Sequence, residues 1–380
     1  MRNTAVHGEL GAKDKNYMTE NRIICNGFVV VQDAIYFSAF NSNGLYKWSK
    51  NKAAPQFISY FPDENLTQNH LHAATYLLGD KIYFAPAAAK NIAIYDLKDK
   101  SIKNINVEDY AMGTSKYYNM CSYKNKLYMI PSRAEYIIEV DTYTDSIVFH
   151  NEWVTKVNIA LNQDMPAMKY GAFIRKEKLY IPYLRDNCIF EIELKNFIVN
   201  TIKIGDFANG FIDAYYDKIG DRVWLLQSGV CSVICYSFAS GKAKKFEVKK
   251  NNAGFSYPYI KMIQLRDELV LIPYQDSVFM SLNMKTKEIK TLHYLDNNKP
   301  KNSWGYYYSG VKISEDYFIA LSTGDLMWDI YDFKGNLVNE IECTDEKMCM
   351  RNALVTNRIV HENLNSNLKQ FLQCIGEVGK

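Results

Sequence analysis

Several signals of secreted, membrane and metal-binding proteins are missing from this sequence. No apolar run reaches the roughly 18 residues of a membrane-spanning helix. Residues 1–10 are polar and lack the apolar core of a secretory signal, so we expect a cytoplasmic protein. The eight cysteines are scattered without metal-type pairs, and Cys231 and Cys235 lie four residues apart on a predicted strand. We therefore expect reduced thiols and no disulfide.

The sequence also lacks the common motifs of cofactor and metal sites. It has no glycine-rich phosphate loop, no Gly-x-Ser-x-Gly elbow, no His-Glu-x-x-His and no calcium loop. The nearest approach to a metal pair is His70-x-His72, because alternate residues of a strand share a face. No third histidine is expected at an equivalent position, so we predict no metal and no cofactor.

The charge distribution argues against nucleic acid as a partner. The formal net charge is +3, with 45 basic and 42 acidic residues, and the basic residues are dispersed along the chain. A dedicated nucleic-acid binder usually concentrates lysine and arginine on one face. We predict neither nucleic-acid nor membrane binding.

Aromatic residues are abundant, and they occur in a repeated pattern. The chain has 29 tyrosines and 19 phenylalanines, which suit the half-buried surface of a sheet. Residues 71–104 show the pattern most clearly, with four short apolar runs separated by polar turns. Gly79-Asp80 is typical of a tight hairpin turn, and Pro86 ends the second run because proline cannot donate to a strand ladder. The segment is predicted to be a four-stranded antiparallel meander.

The same unit recurs seven times at intervals of 47, 45, 52, 44, 46 and 48 residues. This period predicts an all-β fold, a seven-bladed β-propeller of four-stranded antiparallel blades. We expect a polar lead-in over 1–21, the propeller over 22–343 and a C-terminal extension over 344–380. Blade 7 looks complete, so 22–25 could add a further strand where the propeller closes. The residues that align at the start of the second strand of each unit are Ile35, Ile82, Leu127, Leu179, Val223, Leu269 and Tyr317.

The extension contains an apolar stripe with helical spacing. Leu364, Leu368, Phe371, Leu372 and Ile375 fall on one face of an amphipathic helix over about 363–378. The helix could pack on the propeller or dock a partner protein. In either case we expect the stripe to be buried.

Two sequence features resemble a known group of propellers. The Lys-Ile-Tyr-Phe strand at 81–84 and the Tyr-Asp-Leu hairpin at 95–97 are similar to blades of bacterial Kelch-like and YVTN-like propellers. The likeness covers about 22–343. The glycine doublet of Kelch repeats and the Trp-Asp ending of WD40 repeats are missing, so the resemblance implies a fold and no functional residue.

In such a fold the first strand of each blade is expected to line a central channel. We took the residue ten positions before each alignment point, the residue two positions later, and the loops between second and third strands. This register selects His72, Tyr117, Lys169, Tyr259 and Tyr307 as candidate catalytic residues. It selects Asp213, Asn119, Lys261, Arg133, Arg185, Tyr183 and Tyr274 as candidate ligand-binding residues.

These residue types favour recognition of a small polar ligand or a peptide. Tyrosine offers an apolar face and a hydroxyl, and arginine a planar fork for anions. The leading interpretation is a binding module. An alternative is a lyase or hydrolase acting on a sugar or modified peptide, with His72 as acid or base, a tyrosine as its proton partner, and Lys169 or Arg185 on an anionic group. A third is a structural subunit of a complex, because a propeller fold alone fixes no activity.

Overall fold

The computed structural model describes residues 22–50, 52–66, 68–108, 116–132, 134–153, 168–248, 256–303, 305–345 and 347. They form 28 strands in seven sheets, each of four consecutive strands paired antiparallel. No helix among them is long and apolar enough to cross a membrane. The predicted all-β fold of seven four-stranded blades is confirmed. The predicted lead-in over 1–21, the C-terminal helix over 363–378 and most of the interblade insertion at 150–165 lie outside the described residues.

The chain divides into two compact units. The two-blade unit comprises Gly8–Asn106 and Ile341–Lys380. Blade 1 contains β1 (Cys25–Val31), β2 (Ala34–Ala39), β3 (Leu45–Ser49) and β4 (Gln56–Ser59). Blade 2 contains β5 (His72–Leu78), β6 (Lys81–Pro86), β7 (Asn91–Asp96) and β8 (Ile102–Asn106).

The segment that precedes blade 1 pairs with residues that follow the last strand of the described residues, Leu337–Glu342. The Ile23 amide donates to the Cys343 carbonyl at 2.8 Å, and Arg22 forms an isolated antiparallel bridge with Thr344. Arg22 also lies 3.2 Å from the Glu342 carboxylate. The two-blade unit therefore joins both ends of the repeat region through a short backbone contact, although β1 itself begins only at Cys25.

The described residues of the five-blade unit lie within Val107–Glu340. Blade 3 contains β9 (Tyr117–Tyr123), β10 (Lys126–Pro131), β11 (Ile137–Asp141) and β12 (Ile147–His150). Blade 4 contains β13 (Phe173–Arg175), β14 (Lys178–Pro182), β15 (Cys188–Glu193) and β16 (Val199–Lys203).

The remaining blades of this unit follow the same order. Blade 5 contains β17 (Phe211–Asp217), β18 (Arg222–Gln227), β19 (Ser232–Ser237) and β20 (Lys242–Glu247). Blade 6 contains β21 (Tyr259–Leu265), β22 (Glu268–Pro273), β23 (Val278–Asn283) and β24 (Ile289–Tyr294). Blade 7 contains β25 (Tyr307–Lys312), β26 (Tyr317–Ser322), β27 (Met327–Asp332) and β28 (Leu337–Glu342), whose last two residues are grouped with the two-blade unit.

The recurring Asp or Asn at the end of the third strand has a structural cause. The Asp96 carboxylate accepts the Lys98 amide at 2.7 Å, and Asp141 accepts the amides of Tyr143 and Thr144, both at 3.0 Å. Asn283 and Asp332 accept amides of their own turns in the same way. These side chains replace backbone partners that the turn leaves unpaired. The hairpin motif of the sequence is therefore a turn signal.

The second strands lie where the repeat places them, with a shift of one residue in blade 7. Six alignment residues are the second residue of their strand and are at most 2% exposed. In blade 7 the aligned Tyr317 is the first residue of β26 and is 36% exposed, while the following Phe318 is fully buried. The alignment was wrong there by one residue, because tyrosine and phenylalanine fit the apolar pattern equally well.

A β-bulge recurs at the second residue of the first strand in blades 2, 3, 5, 6 and 7, and blade 1 has a bulge at Gly27. In blade 5 Phe211 pairs with Gln227 and Asp213 with Leu226, and in blade 6 Lys261 pairs with Ile272. Asp213 and Lys261 therefore share one register position, just after the bulge. The rule of taking the residue ten positions before each alignment point is therefore wrong for Asp213, because four residues separate β17 from β18 where most blades have two. The bulge residues are Ala73, Tyr118, Ile212, Ile260 and Tyr308.

Candidate functional site

Blade 4 differs from the other blades in its first strand, and the candidate site forms at this difference. Its first strand, β13, has only three residues, where those of blades 5 and 6 have seven. Before β13 the Tyr170 amide donates instead to the Ile212 carbonyl of β17 at 3.2 Å. A Cβ atom on Gly171 would lie 2.0 Å from the Ala214 nitrogen, and Gly171 has φ +80°. Only glycine allows both the left-handed backbone and this close approach.

The close approach brings polar side chains of three blades together. We call Lys169, Tyr170, Asp213 and Lys261 the lysine–tyrosine cluster. The Lys169 Nζ lies 5.5 Å from the Tyr170 ring centroid, and the Lys261 Nζ lies 5.7 Å from the same centroid. Two ammonium groups thus share one aromatic ring at cation–π distance.

Further tyrosines surround the cluster. The Lys169 Nζ lies 6.0 Å from the Tyr257 ring centroid. The bulge residue Tyr118 packs its ring against Tyr170 at 6.4 Å, nearly perpendicular to it. Tyr274 is close enough for its charge state to influence the pKa of Tyr170. The lysines are therefore surrounded by aromatic faces and hydroxyl groups.

The Asp213 carboxylate is buried and held by the backbone. It is 4% exposed, and its two oxygens accept the Met262 amide at 2.7 Å and the Ala214 amide at 2.9 Å. Burial raises the pKa of this carboxyl to about 6, against the opposing effects of the two amides and of Lys261. Asp213 is thus fixed in position and gains or loses a proton near neutral pH.

Burial also disfavours the charge of both lysines. It lowers the pKa of Lys169 to about 8. It lowers the pKa of Lys261 as well, and the nearby Asp213 partly offsets this effect. Lys169 therefore remains mostly protonated at pH 7 but has lost part of its hydration. An anion that enters the cluster would restore a favourable partner to it.

The tyrosine hydroxyls of the cluster stay neutral at physiological pH. Burial raises the pKa of Tyr170, and Tyr118, Asp213 and Tyr274 add to the effect. Burial and the neighbouring Tyr257 raise the pKa of Tyr274 to about 12. A neutral phenol can donate a hydrogen bond to an anion. The cluster therefore combines two cationic groups, neutral donors and one carboxylate.

Among the predicted catalytic residues, three tyrosines lie inside the blades. Tyr117, Tyr259 and Tyr307 are at most 1% exposed. The Tyr117 hydroxyl donates to the Tyr136 carbonyl at 3.0 Å, and the Tyr307 hydroxyl donates to Asp329 at 2.6 Å. Burial raises the pKa of all three. They contribute to packing within their blades, and the structure does not place them in the lysine–tyrosine cluster.

His72 belongs to the two-blade unit and is fully buried. Its ring packs against Phe61 at 4.3 Å and against Phe84 at 5.8 Å. His72, chosen from the sequence as a candidate acid or base, therefore packs in the core of its blade. His70 precedes β5 and has φ +58°, so the two histidines do not alternate along a strand as expected.

The remaining predicted ligand-binding residues are placed as follows. Asn119 is half-buried in β9, opposite Ile130. The Tyr183 ring lies 5.2 Å from Phe190, and burial raises its pKa while Arg185 lowers it. Arg185 has the same effect on Tyr257, so its charge reaches the edge of the cluster. Arg133 lies outside the described residues.

The residue-by-residue prediction missed Tyr118, Tyr170 and Tyr257. Tyr170 directly follows the predicted Lys169, and Tyr118 follows the predicted Tyr117. Both were omitted because the chosen register kept only alternate residues of each first strand. The bulge and the detached segment before β13 break that alternation and turn these side chains toward the cluster. The tyrosines that directly follow Lys169 and Tyr117 in the sequence were the signal that could have identified Tyr170 and Tyr118.

Comparisons with known proteins identify the fold and no family. No protein-family model and no curated protein matches the chain. The extracellular domain of a B. thetaiotaomicron protein assigned to a one-component system has a TM-score of 0.57 and 11% identity, and the match covers 81% of this chain. The chain spans only 38% of that structure.

In two further similar structures the match covers most of the other protein as well. A streptogramin B lyase has a TM-score of 0.57 and 10% identity, over 79% of this chain and 91% of the lyase. The WD40 repeats of RRP9 have a TM-score of 0.55 and 11% identity, over 80% of this chain and 88% of theirs. The chain has the seven-bladed β-propeller fold. At these identities the likeness shows the fold alone, and the similar proteins include an enzyme as well as WD40 domains.

Proposed function

We propose that this protein is a ligand-binding propeller whose five-blade unit binds a small anionic molecule at the lysine–tyrosine cluster. The observation that carries the proposal is the convergence of the Lys169 and Lys261 ammonium groups on the ring of Tyr170, at 5.5 and 5.7 Å. Both oxygens of Asp213 are already engaged by backbone amides. An anionic ligand would balance the excess positive charge.

The surroundings of the lysines narrow the ligand class. Carboxylates and phosphates pair well with ammonium groups and accept hydrogen bonds from neutral phenols. The faces of Tyr170, Tyr257 and Tyr118 suit a ring, and a sugar ring carries hydroxyls that such phenols can also bind. A sugar acid or a sugar phosphate fits this combination better than a neutral sugar.

The proposal is tested by comparing anionic and neutral forms of one sugar. Glucuronate and glucose 6-phosphate are titrated into the full chain at pH 7 by calorimetry, with glucose as the neutral control. We expect the anions to bind and glucose to bind at least about tenfold more weakly, since one charge-assisted contact is worth about 1.5 kcal/mol or more. Equal binding of all three sugars would contradict a site selected by charge.

Variants locate the site. Lys169→Gln and Lys261→Gln should each weaken binding of the anionic probe while the melting temperature stays near that of the wild type. Lys176→Gln is the matched control, because Lys176 is an exposed lysine of the same blade outside the cluster. Loss of binding in the control, or full binding in both cluster variants, would show that the cluster is not the binding site.

A catalytic role for the same cluster is the second candidate. Asp213 and Lys169 have pKa values of about 6 and about 8, so one can accept and the other donate a proton near neutrality. This would suit a lyase or hydrolase acting on the bound anion. Proton NMR of a bound probe over time separates the two functions, because a binding module leaves the probe unchanged and an enzyme converts it.

A further inference from the structure

A basic cleft lies in the two-blade unit, apart from the lysine–tyrosine cluster. Its volume is about 980 Å³, which is at the upper end of the range for small-molecule sites. The β1–β2 turn at Gln32-Asp33, the β5–β6 turn at Gly79-Asp80 and the β7–β8 turn at 97–100 form its wall, together with the end of β3.

Lysines dominate the charge of this cleft. Five lysines line it, against the two aspartates Asp33 and Asp80. Asp80 already pairs with one of them, Lys98, at 2.6 Å. The lining therefore carries three more lysines than aspartates. The five lining lysines are Lys47, Lys50, Lys52, Lys98 and Lys100.

Apolar side chains also line the cleft. Val31, Leu77 and Leu97 line it and are partly buried against the core of blades 1 and 2. The Tyr36 ring also lines it, with the Lys47 Nζ 5.5 Å from the ring centroid. Gly79, in the left-handed conformation at φ +59°, has no atom within 4 Å of its Cβ position, so no side chain fills this part of the wall.

We propose that this cleft binds an organic polyphosphate, such as a nucleoside triphosphate. Its phosphates would lie among the lysines, which bind phosphate as point charges. Its base would lie against the apolar lining residues Val31, Leu77 and Leu97, beside Tyr36. Every phosphate group of a polyphosphate carries at least one negative charge and several acceptor oxygens. A short polyphosphate can therefore bind several of these lysines at once. A mononucleotide body is small enough for a cleft of this volume.

The test separates the two parts of the ligand. Binding of ATP, sodium tripolyphosphate and adenosine to the full chain is measured by calorimetry at low salt. We expect ATP to bind most tightly, tripolyphosphate more weakly, and adenosine weakest, with ATP affinity falling as salt is raised. Equal affinity for adenosine and ATP, or no ATP binding at millimolar concentration, overturns the proposal.

Variants locate the binding and separate it from the other site. The double variant Lys47→Gln, Lys100→Gln should weaken ATP binding about tenfold or more. Lys103→Gln is the control, since Lys103 is an exposed lysine of blade 2 outside the cleft. The double variant should leave the affinity for glucuronate unchanged, so failure here is distinct from failure at the lysine–tyrosine cluster.

Three results from these variants would overturn the proposal. The first is ATP binding that survives the double substitution. The second is ATP binding that Lys103→Gln weakens as strongly as the double variant does. The third concerns the class of ligand: an oligothymidylate that displaces ATP and binds more tightly would show that the cleft recognises a nucleic-acid backbone.

Discussion

Lys299 and Lys169 are both lysines of the five-blade unit with an ammonium group near tyrosine rings, but carboxylates surround them differently. The Lys299 Nζ lies 2.8 Å from Asp329 and 3.1 Å from Asp325, and Tyr307 donates to Asp329. Burial opposes the charge of Lys299, yet the two aspartates outweigh it and raise its pKa. At Lys169 burial lowers the pKa instead.

This difference in neighbouring carboxylates indicates different roles for the two lysines. Lys299 has its counter-charges built into blade 7, so removing it would leave Asp329, which is fully buried, without its cation. At the lysine–tyrosine cluster Asp213 acts on Lys261, and its two oxygens already accept two backbone amides. The first arrangement stabilises a blade, and the second retains positive charge that a ligand can use.

The largest effect on stability is expected from replacing Lys299, whose charge is paired with two aspartates. Lys299→Ala should lower the free energy of unfolding by about 3–5 kcal/mol, the range for breaking a buried ion pair. Chemical denaturation measures this change. Lys301→Ala, at an exposed lysine nearby in sequence, is the control and should change stability by less than about 1 kcal/mol. A small effect of Lys299→Ala would mean that the two lysine sites do not differ in this way.

The second effect concerns the close approach that builds the cluster. Gly171→Ala would place a methyl group 2.0 Å from the Ala214 nitrogen, so the segment before β13 must move away from β17. We expect a loss of about 2–4 kcal/mol, from overpacking and left-handed strain together, and weaker binding of the anionic probe.

Gly241→Ala provides a matched control for Gly171→Ala. Gly241 has φ +65° and no atom within 4 Å of its Cβ position, so alanine there meets only the backbone strain. It should cost about 1 kcal/mol and leave probe binding intact. Equal destabilisation by the two substitutions, measured by thermal unfolding, would argue that the contact with β17 is unimportant.

A smaller, pH-dependent effect is expected from Asp213→Asn. Because the folded-state pKa of about 6 is above the usual value of 3.8, the folded state holds a proton that the unfolded state releases between these pH values. Wild-type stability should therefore fall, relative to the variant, as the pH rises from about 4 to about 6. The relative change should be about 2–3 kcal/mol.

Melting curves of both proteins at several pH values check this prediction. A constant difference between wild type and Asp213→Asn across the window would show that Asp213 titrates normally. Asp221 of blade 5 is a contrasting case, because its pairing with Arg175 lowers its pKa to about 2. Asp221→Asn should therefore give the opposite trend, with wild-type stability lost relative to the variant as the pH falls toward 2.

Part of the candidate site could be chosen from the sequence. Lys169, Asp213, Lys261 and Tyr274 stand out because polar residues occupy first-strand or loop positions of an otherwise apolar repeat. His72, Tyr117, Tyr259 and Tyr307 satisfy the same criterion, and the structure buries them in their blades. Residue type and repeat position cannot separate these two groups, because a one-residue bulge decides which way each side chain turns.

The number of blades, the approximate position of the second strands and the turns after the third strands could all be predicted from the sequence. These features depend on local patterns, namely the period of apolar runs and the side chains that cap a turn. Three features became visible only in the folded protein. The first strand of blade 4 has only three residues, and Gly171 lies against Ala214. Lysines from two blades lie near the Tyr170 ring. Such contacts join residues about 40 or more positions apart, and their geometry follows from how neighbouring blades pack, which no local pattern in the chain records.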